Sequence, residues 1–177
     1  IFFINCIFKP TQMQKITRLF DFPYYQLEHY KLPDALVTKH GSEWVKTSTE
    51  EYINKANALS RALLNLGIQK NDKIAVISSN NRTEWHISDI GILQVGAQNI
   101  PIYPTISSED YEYILNHSEA KYCFVSDQVV YDKLKEVQSR IPLLIDIYSF
   151  NEIKERKKWN DLLETGSDTS NQNVVEE

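Results

Sequence analysis

Cysteine is scarce in this chain. Two among 177 residues cannot build a disulfide framework, and without histidine help they cannot fill a four-ligand structural zinc site. Glycine (5) and proline (6) are too few for a collagen-like or low-complexity chain. Positive charge is not in excess either. Lys and Arg total 19 against 24 Asp and Glu, a net charge of −5 with a pI near 5.4. The basic face that nonspecific nucleic-acid binding needs is therefore missing. No apolar run approaches the ~20 residues of a membrane-spanning helix. What remains is 42% hydrophobic and 24% charged residues, enough for a packed core, in a length that suits one domain of roughly 100–200 residues.

Both ends read differently from the middle. Residues 1–8 (IFFINCIF) are apolar but too short to span a bilayer, and no basic segment or small-residue cleavage site accompanies them. Met13 is the only methionine, so the expected natural start is Met13, with residues 1–12 a non-native or disordered leader; a short strand or membrane-touching segment is the alternative. From Thr165 the chain becomes polar (TGSDTSNQNVVEE) and reads as a truncated tail.

Between the ends the hydrophobic period changes repeatedly. Residues 22–32 read as a short helix with Pro23 in its first turn. Residues 34–47 read as a hairpin turning at His40-Gly41-Ser42-Glu43. Thr47 with Glu50, or equally Ser48 with Glu51, fits a capping box for a helix over 49–66. Tyr52, Ala56, Leu59, Leu63 and Leu66 form its stripe, and Gly67 its left-handed end. Strands are expected at 73–78, 99–103, 122–126 and 143–147, and helices at 83–97, 107–117, 128–139 and 159–163. Pro101 puts the second strand at an edge or marks a strand start. Strands that alternate with helices pair in parallel through right-handed crossovers, so the expected fold class is α/β: a parallel sheet with crossover helices, preceded by a helix and a β-hairpin.

The carboxyl ends of such strands are where ligands bind, and no familiar chemistry is legible there. The turn 78–82 (SSNNR) has no glycine, which excludes a dinucleotide fingerprint. Gly91 and Gly96 fall inside an expected helix and read as close helix-to-sheet packing. Asp127 lacks the partner carboxylates of a phosphoacceptor site. The histidines at 29, 40, 86 and 117 have no metal-ligand spacing. Cys123 sits mid-strand as an inert packed thiol. Residues 154–158 (KERKK) could touch an anionic membrane, but a solvated helix face is the preferred reading.

One block carries a specific pattern. It comprises Asn81-Arg82 with Glu84-Trp85, Asp89 with Gly91, Gly96-Ala97, Pro101-Ile102-Tyr103-Pro104-Thr105, and Tyr113-Ile114-Leu115 followed by Ser118-Glu119-Ala120-Lys121. Asn71-Asp72-Lys73 leads into the first strand, with Asn71 where glycine is common; asparagine also reaches left-handed φ. In this order the pieces resemble the N-terminal region of the adenylate-forming acyl-CoA synthetases, most of all the bacterial long-chain fatty-acid–CoA ligases, over residues 14–164.

The resemblance implies that residues 13–164 are a partial N-terminal α/β subdomain of an AMP-binding domain, an N-terminal fragment of a cytoplasmic or membrane-peripheral ligase. The intact enzyme would use ATP, Mg2+ and coenzyme A to turn a fatty acid into its acyl-CoA through an acyl-adenylate, releasing AMP and pyrophosphate. The family's phosphate loop, magnesium-holding acid and C-terminal lysine are not matched here. No catalytic, cofactor-binding or metal residue is thus assigned in this chain, the substrate-binding residues are unknown, and no cofactor is expected to bind it tightly. Asn81, Arg82, Glu84, Trp85, Asp89, Gly91, Gly96, Pro101, Tyr103, Pro104, Thr105, Tyr113 and Glu119 are read as scaffold. A standalone α/β interaction module and a ligase for a different acid remain the alternatives. If strands and helices of a larger fold are missing, an apolar face should be bare.

Overall fold

The computed structural model describes residues 16–154 and 156–167. The expected leader and all of the tail after Ser167 lie outside the described residues. In chain order the elements are α1 (Asp21–His29), β1 (Leu36–His40), β2 (Glu43–Thr47), α2 (Thr49–Asn65), β3 (Lys73–Ile77), α3 (Thr83–Gln94), β4 (Gln98–Ile102), α4 (Ser108–Ser118), β5 (Tyr122–Val125), α5 (Gln128–Val137), β6 (Asp146–Ser149) and α6 (Trp159–Thr165). Strands β1 and β2 form an antiparallel hairpin of their own, and the other four make a parallel sheet in the order β4-β3-β5-β6.

That order contains a reversal. The chain steps from β3 to β4, then crosses back over β3 to β5 and on to β6. With one hand of crossover throughout, the reversal sends α3 to one face and α4 and α5 to the other. Successive side chains of a strand point to opposite faces, and the core divides accordingly. Ile74, Val76, Tyr122, Phe124 and Tyr148 pack with Leu59 and Leu63 of α2, Ile87 of α3 and Trp159 of α6. Ala75, Ile77, Cys123, Val125 and Ile147 pack with Tyr111 and Leu115 of α4 and Val130 and Leu134 of α5.

Local chemistry fixes the helix ends. Of the two capping options at α2, Ser48 is used: its hydroxyl accepts the Glu51 N–H at 3.1 Å. Gly67 and Gly96, both at positive φ, close α2 and α3 in the same way, with Ile68 N–H donating to the Leu63 carbonyl and Ala97 N–H to that of Ile92. Ser107 and Asp110 form a reciprocal capping box at α4. Asn71 takes φ 70°, as its place in the turn demands.

Several sequence expectations need correction. Helix α3 ends at Gln94, so Gly96 terminates it rather than lying inside it. Gly91 abuts helix α2, not the sheet: a Cβ there would stand 3.0 Å from Leu59 Cδ2. The last strand is 146–149 rather than 143–147. Leu143 and Ile145 are exposed in the approach to it, whereas Asp146 joins the ladder opposite Tyr122. Residues 154 and 156–158 are not a helix face. Lys157 pairs with Asp146, Lys158 with Glu152, and Arg156 lies over the Tyr131 ring. Burial on α2 extends past the expected stripe to Ala58 and Arg61, because α6 lies along that side.

The polar tail also begins later than expected. Helix α6 runs to Thr165, and Gly166 presses its backbone against α2: a Cβ there would fall 1.8 Å from the Ala58 carbonyl oxygen. The buried Arg61 Nε donates to the Gly166 carbonyl at 2.6 Å. Gly166→Ala is expected to force the helices apart and lower stability by roughly 3 kcal/mol, at the upper end of overpacking costs. Urea unfolding monitored by Trp fluorescence checks this; an unchanged midpoint would show that the α2–α6 contact contributes little.

Candidate functional site at the carboxyl ends of the strands

The reversal in strand order places a topological switch between β3 and β5, and the loops that follow these strands part there. Two short polar segments, 78–82 and 126–127, line the gap. Ser79 N–H donates to Ser126 Oγ at 2.9 Å, and the Ser79 and Ser126 hydroxyls both donate to Asp127 Oδ2 at 2.7 Å. Asp127 Oδ1 accepts the Val130 N–H and so caps α5. Burial pushes the Asp127 carboxyl up, but these hydroxyl and N–H donors outweigh it and hold its pKa below the ordinary value.

Beside this cluster Arg82 turns inward and is buried. Its guanidinium grips Glu84 with two bonds, Nε to Oε2 at 2.9 Å and Nη2 to Oε1 at 2.7 Å. Nη1 reaches the Ser126 carbonyl at 3.3 Å and Asn151 Oδ1 at 3.1 Å. The group lies 5.1 Å from the Phe150 ring centroid. One side chain thus ties the ends of β3, β5 and β6 to the start of α3. Burial works to raise the Glu84 pKa, yet the bonds and charge of Arg82 win and lower it.

Two clefts flank Arg82. One, of about 480 Å³, is lined by Ser79, Asn80, Asn81, Trp85, His86, Tyr103, Pro104 and Thr105. The other, of about 410 Å³, lies between the end of β1 (Thr38, His40) and Asp127 and Asn151. Tyr103, 79% exposed, stands at the rim of the first. The loop carrying Pro104 is pinned from below, since its carbonyl accepts the Tyr111 hydroxyl at 3.0 Å and Lys133 Nζ at 3.1 Å.

The motif positions therefore divide. Asn81, Arg82, Glu84, Trp85, Tyr103, Pro104 and Thr105 gather at the carboxyl end. Asp89 accepts from Asn99 Nδ2 at 2.7 Å and joins α3 to β4, and Pro101 lies on edge strand β4 opposite Val76. Gly91 and Gly96 serve the packing and closure of α3. Tyr113 stacks on His117 on the outer face of α4, and Glu119, at φ 58°, pairs with Lys73 at the amino end of the sheet. Sequence reasoning pointed to the loops that hold Ser79 and Ser126 but gave neither residue a role, and it did not single out Asn151 or Lys133. The only signal available was Asp127 directly after a strand, a pattern that also marks an N-cap.

The carboxyl-end groups do not fit a magnesium–triphosphate. Asp127 and Arg82 are engaged with their neighbours, and no glycine-rich loop offers a row of N–H groups. Among the described residues no cluster of His, Cys, Asp and Glu could hold a metal ion.

Comparison with known proteins places this geometry. The family profile described as AMP-binding enzyme matches residues 26–175. The chain belongs to the AMP-binding enzyme family. It is 28% identical over 139 residues to a long-chain-fatty-acid–CoA ligase of Xenopus laevis, a match over 76% of this chain and 19% of that protein. To a long-chain-fatty-acid–CoA ligase of Mycobacterium bovis it is 33% identical over 104 residues, covering 59% of this chain and 17% of the relative. The chain spans about a fifth of the length of these relatives. Its fold matches a putative long-chain-fatty-acid CoA ligase from Rhodopseudomonas palustris at TM-score 0.71, with 17% identity over 82% of this chain and 36% of that one. The anthranilate CoA ligase AuaEII in complex with anthranoyl-AMP matches at TM-score 0.69 and 21% identity, over 82% of this chain and 26% of that one. The parallel α/β arrangement is thus shared with adenylate-forming CoA ligases.

Two outcomes follow for this family member. Arg82→Ala leaves the part-buried Glu84 carboxylate without its forked partner and should cost about 3–5 kcal/mol. Arg82→Lys should recover little, because a single ammonium cannot reproduce the forked contacts. Chemical denaturation of both variants is the measurement. Because the pKa values of Glu84 and Asp127 are depressed on folding, their stabilisation is present above the unfolded carboxylate range, near pH 4, and drains away as pH falls through the lower folded values. Asp127→Asn should flatten that acid limb in a pH series of unfolding curves.

Proposed function

We propose that this chain supplies N-terminal structure to an acid–thiol ligase that converts a long-chain fatty acid, ATP and coenzyme A into acyl-CoA, AMP and pyrophosphate. The observation that carries this reading is the AMP-binding enzyme match over 26–175, which contains the ordered motif block from Asn81 to Lys121. Relatives at 28% and 33% identity that bear long-chain-fatty-acid–CoA ligase names support the choice of acid. In this proposal residues 13–164 are part of the first α/β subdomain. Arg82, Glu84, Asp89, Gly91 and the Tyr103–Pro104–Thr105 loop act as scaffold, holding the carboxyl-end loops at fixed spacing for groups the reaction recruits from elsewhere.

The charge that develops on transferring phosphates calls for preorganised cations and N–H donors. The engagement of Arg82 and Asp127 supports assigning that task to residues outside 16–167. No helix among the described residues is long and apolar enough to cross a membrane. The ion pairs of Lys157 and Lys158 weaken the case for membrane contact through 154–158.

Two assays test the proposal. The 177-residue chain, mixed with palmitate, ATP and coenzyme A, should form no acyl-CoA and should show no tight ATP binding by calorimetry. The product of the complete reading frame that encodes this chain should form palmitoyl-CoA and release AMP. Turnover by the 177 residues alone would overturn the scaffold assignment; inertness of the full product toward every fatty acid tried would overturn the ligase reading.

A further inference from the structure

Hairpin β1–β2 is a sheet separate from the parallel one, and β2 is its outer strand. The hairpin meets the body through β1, where buried Thr38 bonds Thr83. Residues 43–46 of β2 are all exposed. Trp44 is 64% exposed, Val45 47%, and Val37 on the neighbouring strand 43%. Among the described residues nothing pairs with the outer edge of β2.

The turn fixes which main-chain groups face that edge. Gly41 takes φ 61° and Ser42 does not take positive φ, the pattern of a type II′ turn closing His40 against Glu43. Hydrogen-bonded pairs then alternate along the ladder: 40/43, 38/45 and 36/47 are joined, while 39/44 and 37/46 are not. The N–H and C=O groups of Trp44 and Lys46 therefore point outward.

We propose that β2 is a self-association edge at which a second copy of this chain pairs antiparallel about a two-fold axis through Val45. The strand Glu43-Trp44-Val45-Lys46-Thr47 is complementary to itself in that register. Each Trp44 exchanges main-chain hydrogen bonds with the partner's Lys46, the two Val45 side chains meet at the axis, and Glu43 faces the partner's Thr47. No like charges stand directly opposite. The Trp44–Lys46 juxtaposition extends to the second copy the Lys–Trp contact already made within the hairpin, where Lys39 Nζ lies 5.7 Å from the Trp44 ring centroid. Asp34 holds Lys46 at 3.3 Å and moderates the diagonal approach of the two lysines. Isologous pairing joins two marginal hairpins into one four-stranded antiparallel sheet. The contact is smaller than a standard interface, so the dimer is weak and reversible. This inference is independent of the ligase reading.

Sedimentation velocity of the 177-residue chain over roughly 5–500 µM, the range in which a small interface titrates, should show a monomer–dimer equilibrium. Val45→Asp sets carboxylates against each other at the axis and should weaken association by at least about tenfold. Lys46→Pro deletes an outward N–H without touching the β1 ladder and should do the same. In a Cys6→Ser background, Val45→Cys should give a disulfide-linked dimer on mild oxidation, whereas Val37→Cys should not. This crosslink reports the edge even if a charged or proline variant unfolds. A chain that stays monomeric throughout, or a dimer that crosslinks through Val37→Cys but not Val45→Cys, would overturn the proposal.

Discussion

The carboxyl end of the sheet is organised around one buried cation. A parallel sheet whose chain reverses direction leaves its loops diverging at the switch point, and divergent loops have no ladder to hold them. Arg82 supplies what the ladder cannot. Its planar fork reaches Glu84 in the first turn of α3, the Ser126 carbonyl after β5 and Asn151 after β6. Burying such a charge costs several kcal/mol in desolvation, and only a full set of partners offsets that. The backbone at Arg82 is extended, with φ −155° and ψ 155°, the conformation of a residue just ahead of a helix. From there the side chain folds back under the loops. Glu84, two residues onward, lies at the positive end of α3, so the pair is stabilised by the helix it helps to start.

A second buried arginine does a related task between α2 and α6. Arg61 of α2 donates to the Gly166 carbonyl, just where α6 presses on α2 most closely. Each arginine donates to a carbonyl at the end of an element: Arg82 to that of Ser126, which also accepts the Asn151 N–H, and Arg61 to that of Gly166. The two contacts differ in reach. Arg82 joins loops of neighbouring strands, whereas Arg61 draws a helix from the far end of the described chain back onto the first long helix. The face formed by α2, α3 and α6 is closed by its apolar residues, and Arg61 adds a polar tie between α2 and the end of α6. The face of α4 and α5 relies on Tyr111, Leu115, Leu134 and their neighbours.

Much of this architecture was legible because it rests on local chemistry. The β-branched run at 73–77, the stripe and cap of α2, and the Ser107–Asp110 box each announce an element within one turn or strand. The last strand was misplaced for an equally local reason. Leu143, Leu144 and Ile145 mimic a buried run, while Asp146 looks like a break. In the fold Asp146 sits in the ladder because Lys157 meets its carboxylate. The site was legible as a motif but not as an arrangement. Arg82 and Glu84 are two residues apart, yet Ser79 meets Ser126 and Asp127 across 47 and 48 positions. Nothing in either segment alone specifies that encounter. Gly166 was hidden likewise, since its need for a missing Cβ comes from Ala58, far away in sequence.

The arrangement also limits what the carboxyl-end clefts can contribute. Anion binding needs donors that are free when the ligand arrives, and here the strongest donor and the best acceptor face inward. Preorganisation has been directed at the protein's own loops. The result is a stiff floor beneath Trp85, His86 and Tyr103, with the Pro104 loop braced from below by Tyr111 and Lys133. A wall of that kind offers shape and apolar contact to whatever is brought against it, but little charge. For a reaction whose barrier is dominated by phosphate charge, such a wall can set distance and exclude water, while the electrostatic stabilisation has to come from other groups. With Arg82 engaged by Glu84 and Asp127 by Ser79 and Ser126, both charges are committed to fixing the positions of these loops.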